Sequence, residues 1–169
     1  MFYLLVYIDT VEKPVIAAVN GMALGGGLEI AIRCHSMVAT KNAFFQFPEI
    51  TLGILPRIGG CIVTYRKWPS SAKIFHEMLR FGKSLNVQEA KSIGMVKEIS
   101  DDYFSMIKAA IEEVNRLQGK IERIPDGEVS IEEIQPVKNH GGETCLKPGG
   151  SFNRGKNTGS CRLCHFHRR

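Results

Sequence analysis

Two glutamates stand twenty positions apart, Glu29 in the run ALGGGLE and Glu49 in FFQFPE. Both lie in apolar sequence, where an ionisable side chain is costly to bury without a partner or a task. Gly25, Gly26 and Gly27 precede the first glutamate and let the backbone bring N–H groups up to a ligand. Between a strand and a helix, such a loop is an anion site for a phosphate or a developing oxyanion. The pattern is neither G-x-x-x-x-G-K-[ST] nor G-x-G-x-x-G, which disfavours a nucleotide phosphate. Two carboxyl groups beside backbone donors suit acid–base chemistry next to a carbonyl. Each feature alone has a plainer reading. The glycines make a tight turn, Glu29 complements a helix dipole, and Glu49 is a turn residue after Pro48. The catalytic reading comes from their combination and their flanks.

The elements that must carry these residues alternate between strand and helix signals, so the class is α/β. Residues 2–11 read as the end of a helix that Pro14 stops. Residues 15–19 (VIAAV) form a short run apolar on both sides, as in a buried parallel strand. Asn20-Gly21 is a turn, residues 23–27 a glycine-rich loop, and residues 28–34 a helix. Strands follow at 36–39 and 43–47, then an irregular loop over 52–60. A helix opening at Pro69-Ser70 turns Ile74, Phe75, Met78 and Leu79 to one face and stops at Gly82. Asn86 and Glu89 match a capping box, and Gly94 closes that short helix. Ser100 is expected to cap a third helix, with Asp101 and Asp102 in its first turn and Phe104, Ile107, Ile111 and Val114 on its buried face. All three read as packing helices.

Residues 13–60, KPVIAAVNGMALGGGLEIAIRCHSMVATKNAFFQFPEITLGILPRIGG, resemble the central segment of the enoyl-CoA hydratase (crotonase) family. The strand KPVIAAVNG, the loop ALGGG, both glutamates and the loop LGILP with its following glycines are in register. LGGGLE and Cys34-His35 look most like the hydratase part of multifunctional β-oxidation proteins, and residues 83–100 resemble the family's next helix and strand. The resemblance covers residues 1–118. It implies a partial crotonase-like spiral of ββα units over 1–100, followed by a helical segment over 101–135; from residue 136 onward glycine, lysine, arginine, asparagine and serine dominate with no apolar stripe, so 136–169 reads as a basic disordered tail. The resemblance also implies a lyase that adds water to a trans-2-enoyl-CoA in fatty-acid β-oxidation or related acyl-CoA metabolism. By the same resemblance the Gly26 N–H, flanked by Gly25 and Gly27, is an oxyanion donor to the thioester carbonyl. Glu29 deprotonates the attacking water, and Glu49 delivers a proton to the α-carbon. The acyl-CoA is substrate, so no cofactor and no metal are expected. A homo-oligomer is implied, with neither membrane nor nucleic acid as partner.

Departures from the family pattern set further expectations. The resemblance starts in the helix before KPVIAAVNG, so an N-terminal truncation is expected, with loss of the second oxyanion donor and much of the coenzyme A pocket. Arg57 stands where the family usually has glycine, and residues 59–64 read GGCIVT in place of GGTQRL. The family's C-terminal trimerisation helices look incomplete after Leu117. Two alternatives stay open: an enoyl-CoA isomerase, in which one carboxylate moves the proton, and a non-catalytic fragment with a basic or metal-binding tail.

Composition places the 169-residue chain among ordinary globular proteins, with 44% apolar and 23% charged residues. No apolar run is long enough to span a bilayer, and the opening MFYLLVYIDT lacks a basic n-region, so the cytoplasm is the default expectation. Residues 1–135 carry 15 basic and 16 acidic side chains, a net of −1, and residues 136–169 carry 7 and 1, a net of +6. The net charge of +5 therefore belongs to the tail. Cys34 and Cys61 read as buried free thiols, whereas Cys145, Cys161 and Cys164 lie in the tail. Cys161, Cys164 and His165 spell C-x-x-C-H, a haem-attachment pattern that needs export; with Cys145 they would also serve as zinc ligands. With no second C-x-x-C, a chance grouping is the favoured reading.

Overall fold

Short apolar runs alternating with glycine turns make this chain wind, each turn handing one strand to each of two sheets. The computed structural model describes residues 7–131. Residues 7–10 are helical (α1) and end before Pro14. Strand β1 (Ile16–Val19) pairs in parallel with β3 (Ser36–Thr40), and β3 with β6 (Glu98–Ser100), giving the order β1-β3-β6. In the second sheet β2 (Met22–Leu24) runs parallel to β4 (Phe44–Gln46), which meets β5 (Leu85–Asn86) antiparallel. Helix α2 (Gly26–Arg33) connects β2 to β3. Ile16 lies opposite Ser36 and Met22 opposite Phe44, so one turn takes 20 residues in the first sheet (36 − 16) and 22 in the second (44 − 22). The twenty-residue separation of Glu29 and Glu49 is therefore close to one turn of the winding, which places one after β2 and the other after β4.

After β4 come a 3-10 turn (Pro48–Leu52), α3 (Gly60–Lys67), α4 (Ala72–Phe81), α5 (Val87–Ser92) and α6 (Tyr103–Leu117). The core gathers Leu28 and Ile32 of α2, Phe45 and Phe47 around β4, and Phe75 and Met78 of α4. The expected face of α4 is buried, Ile74 partly so, and Gly82 closes the helix in the left-handed region. The capping box of α5 is complete: Glu89 N–H donates to Asn86 Oδ1 at 2.9 Å, and Asn86 N–H donates to Glu89 Oε2 at 3.0 Å.

Elsewhere the structure departs from the sequence expectations. The segment read as a glycine-rich loop begins with strand β2, and α2 starts at Gly26 rather than Leu28. Helix α3 was not expected, because a double glycine opens it and its buried residues include Gly60 and Thr64. Strand β1 is a half-buried edge with Ala18 exposed, not a strand buried on both faces. Ser100 ends β6 opposite Thr40, and Asp102 caps α6 by accepting from Ser105 N–H at 3.0 Å.

The buried face of α6 is Met106, Glu113 and Leu117, set against β1, β3 and β6; Phe104 and Ile111 are 82% and 57% exposed. A helix with two apolar stripes does not declare which one meets the sheet. Here the sheet takes the stripe holding Glu113, whose carboxylate pairs with Arg116 at 2.6 and 2.7 Å. Cys34 is a buried free thiol and Cys61 a partly buried one. No helix among the described residues is long and apolar enough to cross a membrane. The tail, with Cys145, Cys161, Cys164 and His165, lies outside the described residues.

Candidate active site

Gly25 is where β2 becomes α2. Its φ of +51° is left-handed backbone that side-chain-bearing residues rarely adopt. A Cβ there would also sit 3.0 Å from Glu49 Oε1, so the absent side chain makes room for the carboxylate. Gly25 N–H donates to Gln46 O at 3.0 Å, tying the turn to the end of β4, two residues before the 3-10 turn that carries Glu49. No side chain caps α2, which leaves the N–H groups of its first turn for a ligand.

Glu29 lies in that first turn and is 2% exposed. Its Oε1 accepts two backbone N–H groups, from Ile58 at 2.7 Å and Gly60 at 2.8 Å. Two donors on one oxygen hold the carboxylate in one orientation, and Oε2 takes part in neither bond. Gly60 is required for this approach. A Cβ there would come within 2.9 Å of both Phe47 and Pro56, and within 3.2 Å of Glu29 Oε1.

Glu49 follows Pro48 in the 3-10 turn and is 8% exposed. Its Oε2 is buried without a hydrogen-bond partner. Burial pushes its carboxyl group above the ordinary carboxylate value, and the Glu29 charge pushes the same way, against a hydrogen bond from its own backbone. Cys61 reports the same field: burial, then Glu29, then Glu49, raise its thiol to about 11.

The structure thus brings together Glu29, Glu49 and Gly25, and leaves Gly26 at the open N-terminus of α2, beside Ile58. Gly27 faces elsewhere. It lines an open groove of about 560 Å³ with Ala17, Val19, Met22, Leu24 and Ile30, which neither glutamate reaches. Sequence reasoning missed the backbone of Ile58 and Gly60 as donors to Glu29. The signal for them was the glycine pair closing the 52–60 loop. Among the described residues no group of His, Cys, Asp and Glu is arranged to hold a metal ion.

Two electrostatically coupled carboxyl groups, one anchored by backbone N–H donors and one held in a poorly solvated place beside an uncapped helix start, are a geometry suited to proton transfer. A family model described as enoyl-CoA hydratase/isomerase matches residues 1–125, and the chain belongs to that family. Crotonyl-CoA hydratase of Syntrophomonas wolfei is 36% identical over 138 residues, 81% of this chain and 49% of the relative. The peroxisomal bifunctional enzyme of Danio rerio is 42% identical over 94 residues, 56% of this chain and 13% of the relative. The crystal structure of enoyl-CoA hydratase from Bacillus anthracis superposes with a TM-score of 0.61 at 31% identity, covering 67% of this chain and 43% of that one. The chain spans half or less of the length of these relatives.

Proposed function

We propose that this site hydrates a trans-2-enoyl-CoA thioester, within fatty-acid β-oxidation or related acyl-CoA metabolism. The observation that carries the reading is the contrast between the two carboxyl groups. Glu29 is fixed by Ile58 and Gly60 N–H, while Glu49 keeps a buried, unpartnered Oε2 and is biased towards its protonated form. Water held at Glu29 loses a proton to that carboxylate as its oxygen bonds to the β-carbon. The thioester carbonyl takes up the electron pair as an enolate, stabilised by N–H donors at the start of α2. Glu49 then gives its proton to the α-carbon. The proton gained by Glu29 is the one Glu49 must recover, so the pair returns to its starting state once a proton passes between them or through solvent.

Both glutamates being buried and electrostatically coupled favours hydration over isomerisation, in which one carboxylate suffices. Assembly with further copies of the chain fits the exposed apolar side chains of α6, among them Tyr103, Phe104 and Ile111. The test follows the loss of enoyl-thioester absorbance with a short 2-enoyl-CoA. Glu49→Gln is expected to lower kcat by about 10²–10⁴, the usual worth of a positioned general acid. Hydration unchanged in that variant overturns the proposal, and conversion of a 3-enoyl thioester without hydration points to the isomerase.

A further inference from the structure

A loop orients a side chain only as well as the loop itself is held. Ile58, whose N–H orients Glu29, is held through both of its backbone groups. Its N–H donates to Glu29 Oε1 at 2.7 Å, and its carbonyl accepts from Arg33 Nε at 2.9 Å. Arg33 lies one helical turn beyond Glu29 on α2, so the two peptide groups flanking Ile58 are both gripped from a single helix. The same guanidinium pairs through Nη1 with Asp9 of α1. Its Nη2 lies over Gly59, where a Cβ would come within 2.5 Å of it and where φ is +120°. Asp9 is itself anchored, since Arg123 donates to its carbonyl and to those of Thr10 and Val11.

The plain role of a basic residue in the last turn of a helix is to complement the dipole. That role does not require the side chain to reach a loop 25 residues away. It also does not explain the arginine fork, whose Nε and Nη1 reach two different partners from fixed positions on one rigid plane, a geometry that a freely rotating ammonium group does not impose. The pair is sheltered, with the Arg33 side chain 16% exposed and that of Asp9 35%. Asp9 Oδ1 is buried with no partner, so the pairing of Oδ2 with Arg33 is what offsets the burial of that carboxylate.

We propose that Arg33 is a positioning residue for Glu29: it holds the Ile58 backbone against the catalytic carboxylate and, through Asp9, ties the direction of that carboxylate to helix α1. The consequence for catalysis rests on the reading of Glu29 as the group that takes a proton from water. The mechanical link does not.

Amide hydrogen exchange on the full chain tests it, comparing native protein with Arg33→Lys and Arg33→Met. In Arg33→Met the Ile58 and Gly60 amides are expected to exchange about tenfold faster or more, while Val38 and Ala39 in β3 keep their protection. Arg33→Lys retains the charge but not the fork and is expected to lie between, which keeps the test decisive if the methionine variant does not fold. Unchanged exchange at Ile58 and Gly60, or equal acceleration at β3, overturns the proposal in favour of no role or a merely structural one. In the hydration assay Arg33→Lys is expected to lower kcat with KM retained, as for an interaction made in the transition state. A native chain without hydratase activity but with the expected exchange pattern would sink the catalytic reading and leave the positioning link standing.

Discussion

Glu49 couples the candidate site to stability. Its folded-state value is raised, by burial first and by Glu29 second, so ionising it works against the fold. The linkage therefore runs from acid to neutral. The contribution of Glu49 is fully present below the ordinary carboxylate value and is lost as pH rises through its raised value in the folded protein. Glu49→Gln, which cannot ionise, is expected to melt a few degrees higher than the native chain near pH 7, the difference shrinking as pH falls to 4. Melting curves across that range check it. A native chain that gains on the variant as pH rises would show that the carboxylate is stabilised in the fold, contrary to its unpartnered Oε2.

At the scale of elements, the junction between the 52–60 loop and α3 is the piece on which the geometry of Glu29 depends. Gly60→Ala would push a methyl group into Phe47, Pro56 and the glutamate oxygen together. Overpacking of this kind costs about 1–3 kcal/mol, and it would displace one of the two N–H donors on Oε1. Chemical denaturation is expected to show a loss in that range, and the hydration assay a fall in kcat beside it. Full stability with full activity would show that the loop yields without moving Glu29.

For the molecule as a whole, the described residues leave apolar surface open on two sides. Met22, at 69% exposure, and Leu24 edge the groove beside β1 and β2, and Phe104 and Ile111 stand out from α6. Edge strands and apolar patches of this kind favour association. Sedimentation is expected to show the purified chain as an oligomer or an aggregate, and Phe104→Ser is expected to shift it towards smaller species. A monodisperse, cooperatively melting monomer would show that these faces are covered within one chain.

The local signals in this sequence are those that need few neighbours: Pro14 ending α1, a glycine turn ahead of α2, the Asn86–Glu89 capping box, and the apolar face of α4. Each depends on bonds and sterics within a few residues, so each was legible. The twenty-residue spacing of Glu29 and Glu49 was also legible, but its meaning required the strand register, because only the pairing of β1 with β3 and of β2 with β4 shows that one turn takes 20 to 22 residues. The rest was decided by tertiary packing. The stripe of α6 that meets the sheet, the start of α3 at a double glycine, and the meeting of Arg33, Asp9 and Ile58 all depend on which distant surfaces come together. Burial of Glu49 and anchoring of Glu29 were likewise set by the fold, since solvent access and backbone donors from thirty residues away are not written in either residue's own neighbourhood.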